Sequence, residues 1–390
     1  MIYDYAFIGA GAAGLHVIEA LRADAYFDQK RILILEKEAK ESNDRTWCFW
    51  EIGQGPQEAF LDKTWSQVEI GIPQQRMAAE IKPYTYKMMR SKRFYQAMLK
   101  RHESDTRVTR IQDEVVEADE KGEAVVLTGR KDTYKAKQVF DSRFDYNRLL
   151  DQSQYPVLQQ HFLGWFIKTE TPVFHPDRAT FMDFQIPQKG NTRFMYVLPL
   201  SETEALLEYT LFSGTPLSAE EYEQGISEYV QDHLQIKKYQ VVEKERGNIP
   251  MTCYPFWEVA SERIIPIGIA GGWAKASTGY TFKKSERKAR KLIQFLKTNR
   301  PLNRFGGLDR FWFYDLLLLD ILDRKNQLGS QVFGVLFKRQ DPQLIFKFLD
   351  EQTNFWEEVR IMASSDVWLF LDSLLRNLNR AVHQIFSKSS

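Results

Sequence analysis

A carboxylate set in an apolar strand is the residue of this chain best suited to do chemistry. The segment EALLEYTLFS alternates, so Glu208 shares one face with Leu206, Thr210 and Phe212, while Ala205, Leu207, Tyr209 and Leu211 share the other. Burying an ionised carboxylate on an apolar face is costly, so its pKa should rise toward the range a general acid or base needs near neutral pH. A sheet-edge glutamate in solvent fits the same pattern. Asp183, in FMDFQ, has similar character, with less isolation from water expected. The six histidines form no His/acid pair at metal-ligand spacing, and no Gly-x-Ser-x-Gly segment offers a serine nucleophile. No metal is expected, and no serine-hydrolase chemistry.

A second group of residues suits a dinucleotide. In DYAFIGAGAAG an apolar run, Tyr5–Ile8, leads into Gly9, Gly11 and Gly14, and helical spacing follows at Leu15, Ile18 and Leu21. Gly9 allows a tight turn, Gly11 lets a pyrophosphate approach the backbone, and Gly14 lets helix and strand pack closely. The helix N-terminus adds N–H groups for phosphate. A second apolar run, Ile32–Leu35, ends at Glu36, placed to accept hydrogen bonds from a ribose 2′-hydroxyl. An acid there favours FAD or NAD over NADP.

NDRTWCFW follows, a loop expected beside the nucleotide, with Arg45 toward phosphate or ribose and Thr46 and Trp47 toward the ring system. An aromatic loop that packs a domain edge fits its spacing equally. Asp141 ends the strand-like KQVFDSR and is assigned to the same cofactor site. Late in the chain, IPIGIAGGWAKASTGYTF gathers Gly268, Gly271, Gly272 and Gly279 around Ser277 and Thr278. Backbone at such a turn can approach a phosphate or ribityl chain, and the hydroxyls can donate to it; a flexible loop is the alternative.

These residues require an α/β framework. Residues 1–150 and 245–300 are expected to form a discontinuous Rossmann-type unit, and 151–244 an inserted β-sheet substrate domain of α+β character. The strands of that domain are GWFIKTE, ATFMDFQI, RFMYVLPL and EALLEYTLFS, and residues 301–390 read as a helical C-terminal cap. An interrupted and resumed nucleotide unit points to FAD as the tightly held group. With 53 basic and 52 acidic residues the net charge is +1, which leaves no electrostatic footprint for nucleic acid.

Two cysteines, Cys48 and Cys253, suit a reducing cytosol, and no targeting segment is expected ahead of Met1–Ile2. The richest apolar run, FWFYDLLLLDIL, is broken by Asp315 and Asp320, so no membrane-spanning helix is expected. Aromatic residues make up 14% of the chain; their clusters suit a core and equally a large apolar or polyene ligand.

Taken in order, DYAFIGAGAAG, NDRTWCFW, QHFLGW, MDF, FMYVLP, LLEYT, IPM and GIAGGWAKASTGYTF resemble the lycopene β-cyclase family across the first three-quarters of the chain. The last quarter resembles it in helical, aromatic character alone. The resemblance implies a flavin hydroxylase-like fold, FAD working in its reduced form with NAD(P)H as reductant, and a proton-initiated isomerisation of lycopene or another acyclic carotenoid. Glu208 stands at the family's essential glutamate, in a pocket to which Trp47, Asp183, Leu206, Thr210 and Phe212 are assigned. Tyr209 stands where the family commonly has a second acid, which leaves a single-acid mechanism.

Gly272 stands where flavin hydroxylases place an aspartate, so backbone groups around Gly279 and Thr278 would hold the flavin. A flavin monooxygenase or polyprenyl reductase on the same fold is the enzymatic alternative, and a carotenoid- or lipid-binding protein the non-enzymatic one. A substrate dissolved in the bilayer implies a cytoplasmic protein peripherally bound to the membrane lipid surface. FWFYDLLLLDIL and DVWLFLDSLL are the candidate contacts, and packing on the protein's own core is the other reading for both.

Overall fold

The computed structural model describes residues 1–387, which divide into two compact units, each assembled from separate stretches of chain. The first comprises Met1–Asp44, Ser91–Tyr155 and Cys253–Asp309. Its central strand, Tyr3–Ile8, pairs in parallel with Ile32–Glu36 on one side and Thr133–Asp141 on the other. Val108–Gln112 extends the sheet beyond Ile32–Glu36, and Ile264–Pro266 joins Thr133–Asp141, both in parallel.

An antiparallel pair, Val115–Lys121 and Ala124–Gly129, completes the sheet. The central strands are covered on both faces, which is why they read as unbroken apolar runs. Helices Ala12–Arg22 and Phe282–Leu296 pack together. The second buries Phe282, Ala289, Leu292, Ile293 and Leu296 on one stripe and carries its exposed charge opposite. This is the Rossmann-type arrangement expected for the glycine turn.

The second unit comprises Arg45–Arg90, Pro156–Thr252 and the chain from Arg310 onward. Its large sheet has the order Tyr239–Met251, Leu158–Thr169, Glu204–Ser213, Thr192–Pro199, Arg178–Asp183, Gln67–Ile72, Gln75–Glu80. A smaller sheet holds Thr46–Ile52, Tyr84–Arg90 and Lys63–Trp65. On one face of the large sheet, Leu163, Trp165, Val197, Leu207 and Leu211 pack with Tyr222 and Ile226 of the helix Ala219–Glu228. A reciprocal cap between Ser218 and Glu221 starts that helix.

Several boundaries differ from the sequence reading. Residues 45–90 belong to the second unit, not the first, because Gln67–Ile72 pairs with Arg178–Asp183 more than a hundred residues away. NDRTWCFW is not a loop: from Thr46 it becomes a strand paired with Tyr84–Arg90. Tyr239–Met251 is one continuous strand, so a boundary at 244/245 falls inside it. The C-terminal helices group with the second unit; there Trp50 and Phe346 stack with ring centroids 4.7 Å apart.

FWFYDLLLLDIL forms the helix Arg310–Arg324 and buries Phe311, Leu316, Leu319, Ile321 and Leu322, so it is a core helix rather than a lipid contact. Among the described side chains of the helix Val367–Ser387, Leu369, Ser373 and Asn377 are buried, while Trp368, Leu371, Leu375 and Leu378 are exposed. Among the described residues no helix is long and apolar enough to cross a membrane.

Candidate active site

Directly paired residues of neighbouring antiparallel strands point to the same side of a sheet. Pairing therefore sets Tyr196, Glu208, Gly164 and Glu245 in one row across four strands. The adjacent rows are Phe194, Thr210, Phe162, Gly247 and Leu198, Leu206, Phe166, Glu243. This face lies opposite the one covered by the Ala219–Glu228 helix. The two glycines lower its floor. A Cβ at Gly164 would lie 2.9 Å from Leu206 Cδ1 and 3.1 Å from Glu245 Cγ, and one at Gly247 would lie 2.2 Å from Phe162 Cζ. Neighbouring side chains occupy the space that the glycines leave.

The Thr210 hydroxyl donates to Glu208 Oε1 at 2.7 Å, and the Thr46 hydroxyl donates to Glu245 Oε2 at 2.5 Å. Arg90 pairs with Glu243, and its guanidinium carbon lies 4.8 Å from the Phe166 ring centroid. Both row glutamates are half-buried. Burial, then the charge of Glu245, pushes the Glu208 carboxyl up to about 8. Burial also raises Glu245, against the opposing pull of Thr46, Arg90 and Arg45. The Cys48 thiol, raised by burial and by both carboxylates, stays neutral beside them.

Leu206, Thr210 and Phe212 share the face of Glu208, with the Phe212 ring 5.3 Å from Phe194 and 5.9 Å from Phe333. Asp183 differs from expectation: it is 0% exposed. It pairs with Arg76 Nη2 at 2.5 Å and accepts from the Tyr229 hydroxyl at 2.7 Å. Its strand is an inner one, and Gly71 beside it has no side chain that would displace the carboxylate. Strand alternation puts Trp47 on the face opposite Thr46 and Cys48.

Tyr209 also points away from Glu208, accepting from Arg193 Nη1 at 2.9 Å and closing against Gly225. A side chain at 209 faces away from Glu208, whereas Glu245 lies on the same face as Glu208. Sequence reading missed Glu245, because Lys244 and Arg246 flank it and make the segment look solvated. The available signal was a period of two through Val241, Glu243, Glu245, Gly247 and Ile249.

The nucleotide-type residues lie in the first unit. Gly11 precedes the Ala12–Arg22 helix without a side-chain cap, and a Cβ there would meet nothing within 4 Å. Gly9 has φ +96°, and a Cβ on it would lie 2.1 Å from Ser142 Oγ. A Cβ on Gly14 would lie 2.9 Å from the Gly9 carbonyl, so helix and strand touch there. Glu36 accepts from the Ala10 N–H at 2.6 Å, beside the turn.

Asp141 ends its strand in register with Ile8 and Pro266 and holds Arg143. Gly272 and Gly279 are left-handed, at φ +67° and +69°. A Cβ on Gly271 would press on the Pro266 carbonyl at 2.3 Å. Thr278 Oγ1 is buried without a partner. An orphaned hydroxyl, an open Gly11 and an uncapped helix start fit the phosphates and sugar chain of a flavin dinucleotide. Arg45 belongs to the second unit, where its charge acts on Glu245. Among the described residues no group of three His, Cys, Asp or Glu is placed to hold a metal ion.

Known proteins resemble this chain in sequence and in fold. The lycopene beta-cyclase of Paracoccus sp. (strain N81106 / MBIC 01143) is 31% identical over 127 residues, a match that spans 31% of this chain and only 32% of that protein. The lycopene beta-cyclase of Pantoea ananas is 25% identical over 298 residues, 72% of this chain and 71% of that one. Among solved structures, a geranylgeranyl bacteriochlorophyll reductase-like protein from Thermoplasma acidophilum superimposes with a TM-score of 0.61 at 11% identity, covering 97% of this chain and 99% of that one.

A flavoprotein/dehydrogenase from Cytophaga hutchinsonii gives a TM-score of 0.60 at 14% identity, covering 94% and 100%. At such identities the likeness concerns the fold, a Rossmann-type unit with an inserted sheet domain. The family model described as "Lycopene cyclase protein" matches residues 4–375, nearly the whole chain. The chain belongs to the lycopene cyclase family.

Proposed function

We propose that this chain is a lycopene β-cyclase, closing the linear ψ-ends of lycopene or another acyclic carotenoid to β-ionone rings without net redox change. Glu208 carries the reading: a carboxyl that stays protonated near neutral pH, on a face built from Leu206, Phe162, Phe166 and Phe194. Glu208 gives its proton to the terminal double bond, forming a C–H bond and leaving a tertiary cation. The neighbouring alkene attacks that cation and closes the ring. The Glu208 carboxylate then removes the ring proton, so atoms and electrons balance and the acid is restored. The aromatic and aliphatic side chains around it keep out water that would capture the cation.

Gly9, Gly11, Gly14, Glu36, Asp141, Gly271, Gly272, Thr278 and Gly279 would hold FAD. When bound and kept reduced by NAD(P)H, FAD would supply negative charge of the kind that stabilises a carbocation. The exposed apolar face of the C-terminal helices would meet the lipid surface from which the carotenoid is drawn. The test is Glu208→Gln: the reading requires that it keep bound FAD and lose ring formation, read from the carotenoid spectrum. Product formation at the wild-type rate would refute it. Consumption of NAD(P)H in step with product would instead favour a monooxygenase or reductase.

A further inference from the structure

The row Glu208–Gly164–Glu245 puts two carboxylates on one face, with a glycine in the position between them. Their surroundings differ. Glu245 accepts the Thr46 hydroxyl from the smaller sheet, and Arg90 and Arg45 bring positive charge to it, against the negative charge of Glu243 on its own strand. Glu208 has the Thr210 hydroxyl on its own strand, Tyr196 beside it in the row, and the neutral Cys48 thiol from the smaller sheet. Among the described residues no lysine or arginine pairs with Glu208. Two carboxylates that feel each other do not ionise together readily, and the proton settles on the one with fewer cations and donors.

We propose that Glu245 is a positioning residue: Thr46, Arg90 and Arg45 hold it as the anion, and its charge keeps the proton on Glu208. This rests on Glu208 as the acid of the proposed reaction. Once Glu208 has given up its proton, the same repulsion makes its carboxylate the stronger base for taking the ring proton back.

An infrared titration of the Glu208 carboxyl band, identified by its loss in Glu208→Gln, tests the pair in the folded holoprotein without substrate. In Glu245→Gln the midpoint of Glu208 ionisation is expected to fall by about one pH unit or more. The alkaline limb of the cyclisation pH profile should move down with it, a shift that a merely structural role would not produce. Glu245→Asp keeps the charge and should keep the midpoint near the wild-type value. Glu245→Ala repeats the test should the glutamine variant not fold. An unmoved midpoint in either neutral variant overturns the proposal. Because this titration needs no turnover, it reads the pair even if the chain fails to cyclise lycopene.

Discussion

Glu208 and Glu245 stand two strands apart in one row of a single sheet, and the residue between them is Gly164. The glycine matters because Leu206 and Glu245 already fill the space its side chain would take. The pairing register, not sequence proximity, therefore makes a carboxylate pair out of residues thirty-seven positions apart.

Gly164→Val is expected to push Glu245 out of the row and crowd Leu206. Thermal or denaturant unfolding should show a loss of about 1–3 kcal/mol. The ionisation midpoint of Glu208 should fall as its neighbour moves away. Full stability together with an unchanged midpoint would mean that the row is looser than described.

Stability should depend on pH through Glu208. In the unfolded chain its carboxyl ionises near the ordinary 4.5, and in the folded protein only near 8. Between those values the folded state binds the extra proton, so this contribution is full below the lower value. It is lost as pH rises through the window and is constant above it. Glu208→Gln removes the penalty. At about pH 9 that variant should be more stable than the wild type by about 1–3 kcal/mol, an amount moderated because the carboxyl is only half-buried. At about pH 4 the difference should vanish. Denaturant melts at the two pH values provide the check.

The two ends of the nucleotide-type site should fail differently. Gly9→Ala forces a side chain into a left-handed position and onto Ser142 Oγ, so it should lower both flavin content and melting temperature. Thr278→Val removes a hydroxyl that has no partner within the protein, so the apoprotein should melt at or slightly above the wild-type temperature. Flavin affinity should still weaken, by about 1 kcal/mol. Flavin absorbance after gel filtration separates the two outcomes; unchanged flavin binding in Thr278→Val would remove that residue from the site.

The C-terminal helices make a claim about lipid. Trp356 is 76% exposed, Trp368 81% and Leu375 71%, whereas the buried side of the last helix carries Leu369, Ser373 and Asn377. Replacing Trp356, Trp368 and Leu375 with serine should cut binding to phosphatidylcholine–phosphatidylglycerol vesicles at least about tenfold, with cyclisation of detergent-dispersed substrate retained. Equal flotation of wild type and triple variant would exclude this surface as the contact.

The elements most legible in the sequence were those whose burial writes a simple period. The run into Gly9 and the Ile32–Leu35 strand are covered on both faces and read as apolar. The Glu208 strand is more informative still, since each of its faces has a partner and the acid stands out from its neighbours. Glu245 was hidden because Lys244 and Arg246 look outward from an edge strand and drown its inward period. The grouping of residues 45–90 with the second unit depends on a parallel pairing with Arg178–Asp183, and long-range pairing leaves no local mark. Asp183 was misjudged because the arginine that neutralises it, Arg76, comes from a distant strand.

The most direct test of the proposed reaction is anaerobic incubation of the protein with lycopene and chemically reduced FAD, without nicotinamide, followed by the carotenoid spectrum. The account predicts β-ring products from the wild type, none from Glu208→Gln, and no oxidation of the flavin in step with product. Stoichiometric flavin oxidation, or ring formation by Glu208→Gln, would contradict it.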